Sequence, residues 1–357
     1  VAEALHDALG FLTGDVWAIK FVTRKRPEPV LSPGMLPLPV PTQAILAFSD
    51  GMDSRAVAGL TGAALGDRLV RVRVGSKTSD RPRLNGRPEP FTAVPYDVLS
   101  DMPNRETSAR TRGFKFAVIS AIAAYLTGAD EIVIPESGQG AIGPALLTVG
   151  HAYPDFRNHP RFTRRMERLV KALLGKEVRY VFPRLWNTKG ETLRAFAAID
   201  TAESWRGTKS CWRNSQWSSV NGKQRQCGVC AACMLRRVSV HAAGLTEDPD
   251  TYICADMTAG TLEEAVAPGF TKVKGAFRDY AVAGVLHMDH LADMASEDHK
   301  AEIARHAALL GPALGLSPAD AHERLATLLN KHSEEWKTYM SSLGARSFVR
   351  HWARTEQ

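Results

Sequence analysis

"AILAFSDGMDSRAVAGL", residues 44 to 60, begins as a continuous apolar run and ends with the spacing of a helix. The run reads as a short strand covered on both faces. Between strand and helix lies Ser49-Asp50-Gly51-Met52-Asp53-Ser54. A turn of this kind gathers helix N-terminal NH groups, the positive end of the helix dipole and hydroxyl side chains in one place, which suits an anion. Gly51 lets the backbone approach closely, and Ser49 and Ser54 supply donors. Asp53 stands at the helix start, where it can cap free NH groups or meet a Mg²⁺ ion. The same residues equally suit a turn that merely caps its helix, and local chemistry leaves both readings open. The better-known phosphate loops are missing or misplaced. GxxxxGK[ST] does not occur, and the one GxGxxG string, "GQGAIG" at 138 to 143, comes late in the chain and runs into Pro144.

Working outward, "RLVRVRV" (68 to 74) reads as a second strand, "FTAVPYDV" (91 to 98) as a third, "EIVIP" (131 to 135) as a fourth and "RYVFPRL" (179 to 185) as a fifth. The stretch "TSARTRGFKFAVISAIAAYLTG" (107 to 128) is the clearest helix, ended by Gly128 as C-cap. Alternating strands and helices predict an α/β fold with a parallel, doubly wound sheet. Ahead of it, "VWAIKFVTRKR" (16 to 26) alternates like a strand and leads into a Pro-rich connector. Towards the end, "SEDHKAEIARHAALLG" and "SPADAHERLATLLNKHSEEWKTYMSSLG" are helical, the second opening with Ser317 as N-cap and Pro318 at the first helical position. The expected organisation is residues 1–42 as strand and connector, 43–205 as the nucleotide-binding domain, 206–258 as a metal-binding segment and 259–357 as a helical extension.

With 357 residues, 44% apolar and 23% charged, the composition is that of an ordinary globular protein. The net charge of +7 allows an anionic partner such as a nucleotide. Lys and Arg are scattered, so nucleic acid is not expected as the principal partner. No apolar run approaches the ~20 residues of a membrane span. The first residues lack the charged, apolar, small-residue order of a signal peptide, although the chain begins with Val1 and so leaves room for a preceding segment. A cytoplasmic location is the expectation.

Five cysteines are present, and four of them, Cys211, Cys227, Cys230 and Cys233, follow the pattern C-x15-C-x2-C-x2-C. Three close thiolates and a fourth returning across a loop can complete a tetrahedron, which suits structural Zn²⁺. An iron–sulfur cluster is the rival occupant. Cys254 is left over and expected simply to be buried. His287 and His290 make an HxxH without a third ligand and are expected on a helix surface.

Ser49-Asp50-Gly51-Met52-Asp53-Ser54 is similar to the SGGxDS signature of PP-loop ATP pyrophosphatases. "CGVCAACMLR" (227 to 236), with Cys211 upstream in "KSCW", resembles the zinc motif of the 7-cyano-7-deazaguanine synthase (QueC-like) family. "GADEIVIPESG", "YPDFR" (153 to 157) and "NTKGE" (187 to 191) resemble further segments of it, so that the likeness runs over roughly residues 43 to 240. The resemblance implies a Rossmann-like fold of the HUP, adenine nucleotide alpha hydrolase-like type. It also implies ATP-dependent adenylation of 7-carboxy-7-deazaguanine with release of pyrophosphate. Ammonia then gives the amide, and a second activation gives the nitrile. By the same resemblance Ser49, Asp50, Gly51, Asp53 and Ser54 hold the ATP phosphates with Mg²⁺, and Cys211, Cys227, Cys230 and Cys233 hold Zn²⁺. Lys189 stabilises phosphate charge or is a solvated surface lysine. Arg110 and Arg112 grip phosphate or the substrate carboxylate, or simply flank a helix start.

The chain also departs from that pattern. Asp50 replaces the family's usual Gly, and its carboxylate repels phosphate unless it turns away or Mg²⁺ bridges it. The loop of 15 residues after Cys211 is long for the family, Arg110-Thr111-Arg112-Gly113-Phe114 stands where a Gly-Arg-Asn-type turn is usual, and segments are added at both ends. These features look like the antiphage-defence branch (Qat and type IV CBASS), in which activated deazaguanine is associated with joining to the amino end of a partner protein. The expected function is therefore conjugation to a partner protein, with the added segments as docking or homodimer surfaces. Synthesis of the nitrile from ammonia is the alternative. A tRNA-modifying PP-loop enzyme and a non-catalytic scaffold are the other classes.

Overall fold

The computed structural model describes residues 1–23, 25, 40–49, 51–76, 92–96, 110–150, 153–199, 204–212 and 219–353. Five strands form one parallel sheet: β1 (Ala44–Ala47), β2 (Leu69–Ser76), β3 (Thr92–Tyr96), β4 (Glu131–Val133) and β5 (Arg179–Val181), in the order β3-β2-β1-β4-β5. Ile45 of β1 lies opposite Val70 on one side and Ile132 on the other. Ala44, Ile45 and Leu46 are completely buried, as the apolar run of 44 to 48 predicts for a central strand. Alternate side chains go to opposite faces. Ile45 joins Ile132, Ala121 and Ala124 of α3 (Arg112–Thr127) and Phe162 and Met166 of α6 (Pro160–Leu174), with Ala8 and Leu12 of α1 (Ala2–Thr13) outside them. Ala44, Leu46 and Phe48 join Val57 and Ala58 of α2 (Met52–Leu65). The sheet is thus doubly wound, and its strand order reverses between β1 and β4. In open α/β sheets ligands bind beyond the carboxyl ends of the strands at that reversal.

The chain divides into two compact units, Val1–Ser49 with Val57–Glu136 and Asp155–Pro183, and Asp50–Ala56 with Ser137–Pro154 and Arg184–Gln357. The first holds the sheet. Gly128 ends α3 in the left-handed conformation that its cap position predicts, with φ at 80°. The amino-terminal segment differs from expectation: a helix, α1, occupies Ala2–Thr13, and residues 14–23 form neither strand nor helix. Alternation makes a strand only where a partner edge is free to pair, and the five-stranded sheet takes no strand from this segment. Val16, Phe21 and Val22 are left exposed.

The second unit carries α4 (Gly138–Ala141), α5 (Gly143–Leu146), α7 (Lys189–Ala197), α8 (Ala231–Ala242), α9 (Ala276–Asp293), α10 (Lys300–Leu314), α11 (Pro318–Ser342) and α12 (Phe348–Trp352). A short hairpin, β6 (Ser219–Val220) and β7 (Lys223–Gln224), turns through Asn221-Gly222. Ser317 caps α11 by accepting from the Asp320 N–H. The carboxyl-terminal helices are part of the unit's core. Phe277, Met288, Trp336, Phe348 and the buried cysteines pack in one cluster, and the Trp336 indole donates to Asp289 Oδ1 at 3.0 Å. No helix among the described residues is long and apolar enough to cross a membrane.

Candidate functional site

Ser49 follows β1 and is exposed, whereas Ser54, in the first turn of α2, is buried. Asp50 lies outside the described residues. Within the second unit Asp53 forms an ion pair with Lys189, and both side chains are nearly buried at 12% and 8% exposure. Lys189 is therefore not a solvated surface lysine. Each charge offsets the desolvation of the other, which is what lets either persist so far from water. Asp53 Oδ1 is buried and has no hydrogen-bond partner among the described residues. A buried carboxylate oxygen with an open lone pair suits a cation or an incoming donor, so the residue fits Mg²⁺ by its chemistry.

Lys189 is the first residue of α7, and its place follows from the local sequence. Thr188 is the N-cap, its hydroxyl accepting from the Glu191 N–H at 3.0 Å while Glu191 Oε2 accepts from the Thr188 N–H at 2.8 Å. This capping box is readable in "NTKGE" as Thr-x-x-Glu. The Lys189 N–H donates to Gln139 Oε1 at 2.7 Å. Gln139 belongs to the "GQGAIG" string, which forms α4 and α5 here: a Cβ on Gly138 would overlap the Leu185 carbonyl, so that glycine serves packing.

Arg110 and Arg112 lie in the first unit. Arg110 donates to Asp15 Oδ1 at 2.9 Å and to the Thr13 carbonyl at 3.2 Å, and Arg112 opens α3 with its side chain exposed.

The four cysteine sulfurs lie within 4.8 Å of one another, the only such group of metal-ligating side chains among the described residues. Cys227 Sγ and Cys233 Sγ are 3.8 Å apart, about the edge of a tetrahedron of sulfurs around Zn²⁺ with bonds of ~2.3 Å. A hydrogen bond from Cys227 draws the Cys211 thiol far down, while burial drives that of Cys233 well up. Thiols so crowded suit replacement of their protons by a metal ion. The knuckle is shaped by Gly228, whose φ of 83° only glycine adopts without strain, and where a Cβ would come 2.7 Å from the Cys254 carbonyl. Gln226 Oε1 accepts from the Ser210 and Cys211 N–H groups at 2.7 and 3.2 Å. Arg236 is wholly buried, pairs with Glu247 at 2.5 Å and donates to Thr208 Oγ1 at 2.8 Å. It ties α8 to the irregular segment before Cys211. Arg236 ends the "CGVCAACMLR" motif, whose sequence alone does not show that task. Cys254 is buried outside the cluster, its thiol pushed up to about 12 by burial.

His287 departs from the surface position expected of it. It is buried, and burial pushes its imidazole down to about 4; only His290 is exposed. One turn of α9 separates the two, but Gly284 on the inward side seats the helix against the cysteine knuckle and carries His287 in with it.

Sheet and thiol cluster describe an α/β protein with a parallel sheet and a four-cysteine group able to hold a metal ion. Residues 100–244 match the family model described as queuosine biosynthesis protein QueC, and the chain is QueC-like there. It is 33% identical over 102 residues to the 7-cyano-7-deazaguanine synthase of Marinomonas sp. (strain MWYL1), covering 29% of this chain and 41% of that one. Similarity to the 7-cyano-7-deazaguanine synthase of Agrobacterium fabrum (strain C58) is 26% identity over 162 residues, or 43% of this chain and 56% of that one. With the 7-cyano-7-deazaguanine synthase of Ruegeria sp. (strain TM1040) it is 28% over 213 residues, or 57% and 70%. The chain thus spans about half the length of the first two relatives. None of these matches singles out the antiphage branch.

Proposed function

We propose that the protein is an ATP-dependent ligase that activates a carboxylate as its adenylate for attack by ammonia, in the manner of a 7-cyano-7-deazaguanine synthase acting on 7-carboxy-7-deazaguanine. The buried Lys189–Asp53 pair carries this reading: it brings "NTKGE" to the helix start after the SDGMDS turn, as a phosphate site needs. In the reaction a carboxylate oxygen attacks the α-phosphorus of ATP and the bond to pyrophosphate breaks. Ser49, Gly51 and Ser54 donate to the departing pyrophosphate, while Asp53 would hold Mg²⁺. The Lys189 ammonium neutralises charge that grows on the leaving oxygens. Cys211, Cys227, Cys230 and Cys233 would hold Zn²⁺ with four thiolates, and its part would then be to hold the fold.

Three relatives named as 7-cyano-7-deazaguanine synthases support ammonia as nucleophile. Transfer to a protein amine, as in the defence systems, draws on the added segments, the 15-residue loop after Cys211 and Arg110-Thr111-Arg112-Gly113-Phe114, and on none of the three relatives. The test is pyrophosphate release from ATP, Mg²⁺ and 7-carboxy-7-deazaguanine, with product masses followed for ammonium and for a candidate partner protein. Ammonium is expected to yield the nitrile, and Lys189→Met to lower kcat about 10²–10³-fold. A mass gain on the partner alone replaces ammonia by a protein amine. Silence from a metal-loaded protein removes the ligase reading.

A further inference from the structure

Leu328, His332 and Glu335 stand at i, i+4 and i+7 on α11, so they share one face of that helix. That face meets the residues that frame Lys189. A Cβ on Gly138 would overlap Leu328, and one on Gly190 would come 2.7 Å from Glu335 Oε1. His332 is completely buried, with Nε2 3.0 Å from the Met288 carbonyl and Nδ1 2.8 Å from Gln139 Nε2. A carbonyl can only accept, so Nε2 carries the proton and Nδ1 accepts from the Gln139 amide. Burial pushes His332 down to about 4, which keeps it in that neutral form. The Gln139 amide is thereby fixed, its oxygen turned to the Lys189 N–H. The Thr188 hydroxyl has one proton to give. It already accepts from Glu191 and donates to Glu335 Oε1 at 2.5 Å, while Gln139 Nε2 lies 3.4 Å from Glu335 Oε2.

We propose that Glu335, supported by His332 and Gln139, is a positioning residue that fixes Thr188 and so presents the Lys189 ammonium to Asp53. Both α11 residues lie beyond the segment matched to QueC, which ends at residue 244. The helical extension is thus part of the frame of the nucleotide site and not only a surface for a partner. The carboxylate reaches the lysine through the helix cap, since Thr188 and Lys189 are adjacent, and a displacement of ~1 Å at such a group suffices to cost catalysis about 100-fold. Its consequence for turnover rests on the ligase reading, whereas the positioning of Lys189 does not.

Competitive trace acetylation of the metal-loaded full chain, read by peptide mass spectrometry, reports the reactivity of the Lys189 amine without any turnover. Glu335→Ala is expected to raise Lys189 labelling about five-fold over wild type at pH 8, the effect of releasing one charge-assisted hydrogen bond. Glu335→Gln, whose amide oxygen still accepts from Thr188, is expected to restore labelling to within about two-fold of wild type. Should Glu335→Ala lose its metal and helical circular dichroism, Glu335→Asp, one methylene shorter, reads the same link and is expected to raise labelling about three-fold. Labelling unchanged in the folded Ala or Asp variant, or no rescue by Gln, overturns the proposal. In an active protein the same variants lower kcat more than they alter KM for ATP. If wild type releases no pyrophosphate while labelling responds as stated, the ligase reading falls and the positioning stands.

Discussion

The two units bury different chemistry. Around the sheet, the core is apolar: Ile45, Ile132, Phe162 and Met166 are fully covered and lie among alanines, valines and leucines. The second unit buries three of its four clustered thiols, nearly buries the Arg236–Glu247 and Lys189–Asp53 pairs, and buries His332 beside a half-buried Glu335. Apolar burial is non-directional and tolerates repacking, whereas buried charges and thiols demand particular partners. The unit that holds its position by named partners is therefore the one able to hold charged groups at a site, and also the one most easily broken at one residue.

Metal removal is the largest test of this contrast. Chelation, or Cys233→Ala, is expected to remove on the order of 10 kcal/mol of local folding free energy. Hydrogen exchange should then lose protection in α8 and keep it in β1 and β4. Next comes the buried ion pair. Arg236→Ala leaves Glu247 without its cation and is expected to cost about 3–5 kcal/mol in urea unfolding; a replacement of both partners by apolar residues sharpens the test by recovering part of that loss.

A smaller effect concerns pH. Burial pushes the Glu335 carboxyl up from 4.5 to about 7. Thr188 and Gln139 face it, with Glu191 and Arg194 as its charged neighbours. A carboxyl raised in the fold contributes stability that is complete below its unfolded value and is lost as pH rises through about 7. His332 and His287, pushed down to about 4, act oppositely: their contribution is present above 6.5 and is lost as pH falls through about 4. The two trends overlap, so the comparison of wild type with Glu335→Gln isolates the carboxyl. Wild type is expected to lose up to roughly 3 kcal/mol relative to that variant as pH rises from about 4 to about 8. At the other extreme, the Lys171–Glu177 pair is open to solvent on both sides, and Lys171→Gln is expected to leave the melting temperature unchanged.

What could be read from the sequence was whatever is local. An apolar run followed by a small-residue turn announces β1 and α2, and cysteines three residues apart announce a knuckle. The buried Lys189 could not be read this way, because its partner Asp53 is remote in sequence. Nor could Glu335, 147 residues from Thr188. Two further local signals stand in the sequence: Pro160 at the first position of α6 with Gly175 at its left-handed end, and Asn221-Gly222 in the hairpin turn. At 16 to 23 the reverse holds: a strand-like alternation that forms no strand among the described residues.

Gly284 of α9 sits against the backbone of the cysteine knuckle, where a Cβ would overlap the Val229 carbonyl and stand 3.0 Å from the Ala231 nitrogen. Synthesis runs from Cys211 to Cys233 well before α9 exists. The thiols are therefore open to solvent on the nascent chain, and an ion can be captured with nothing to move aside. In the finished protein α9 is seated on the knuckle backbone at Gly284, with Cys227, Cys230 and Cys233 buried and Cys211 half-buried. Order of manufacture is thus expected to make loading quicker than replacement, and the rate of metal exchange into the folded apo-protein against that during refolding checks it.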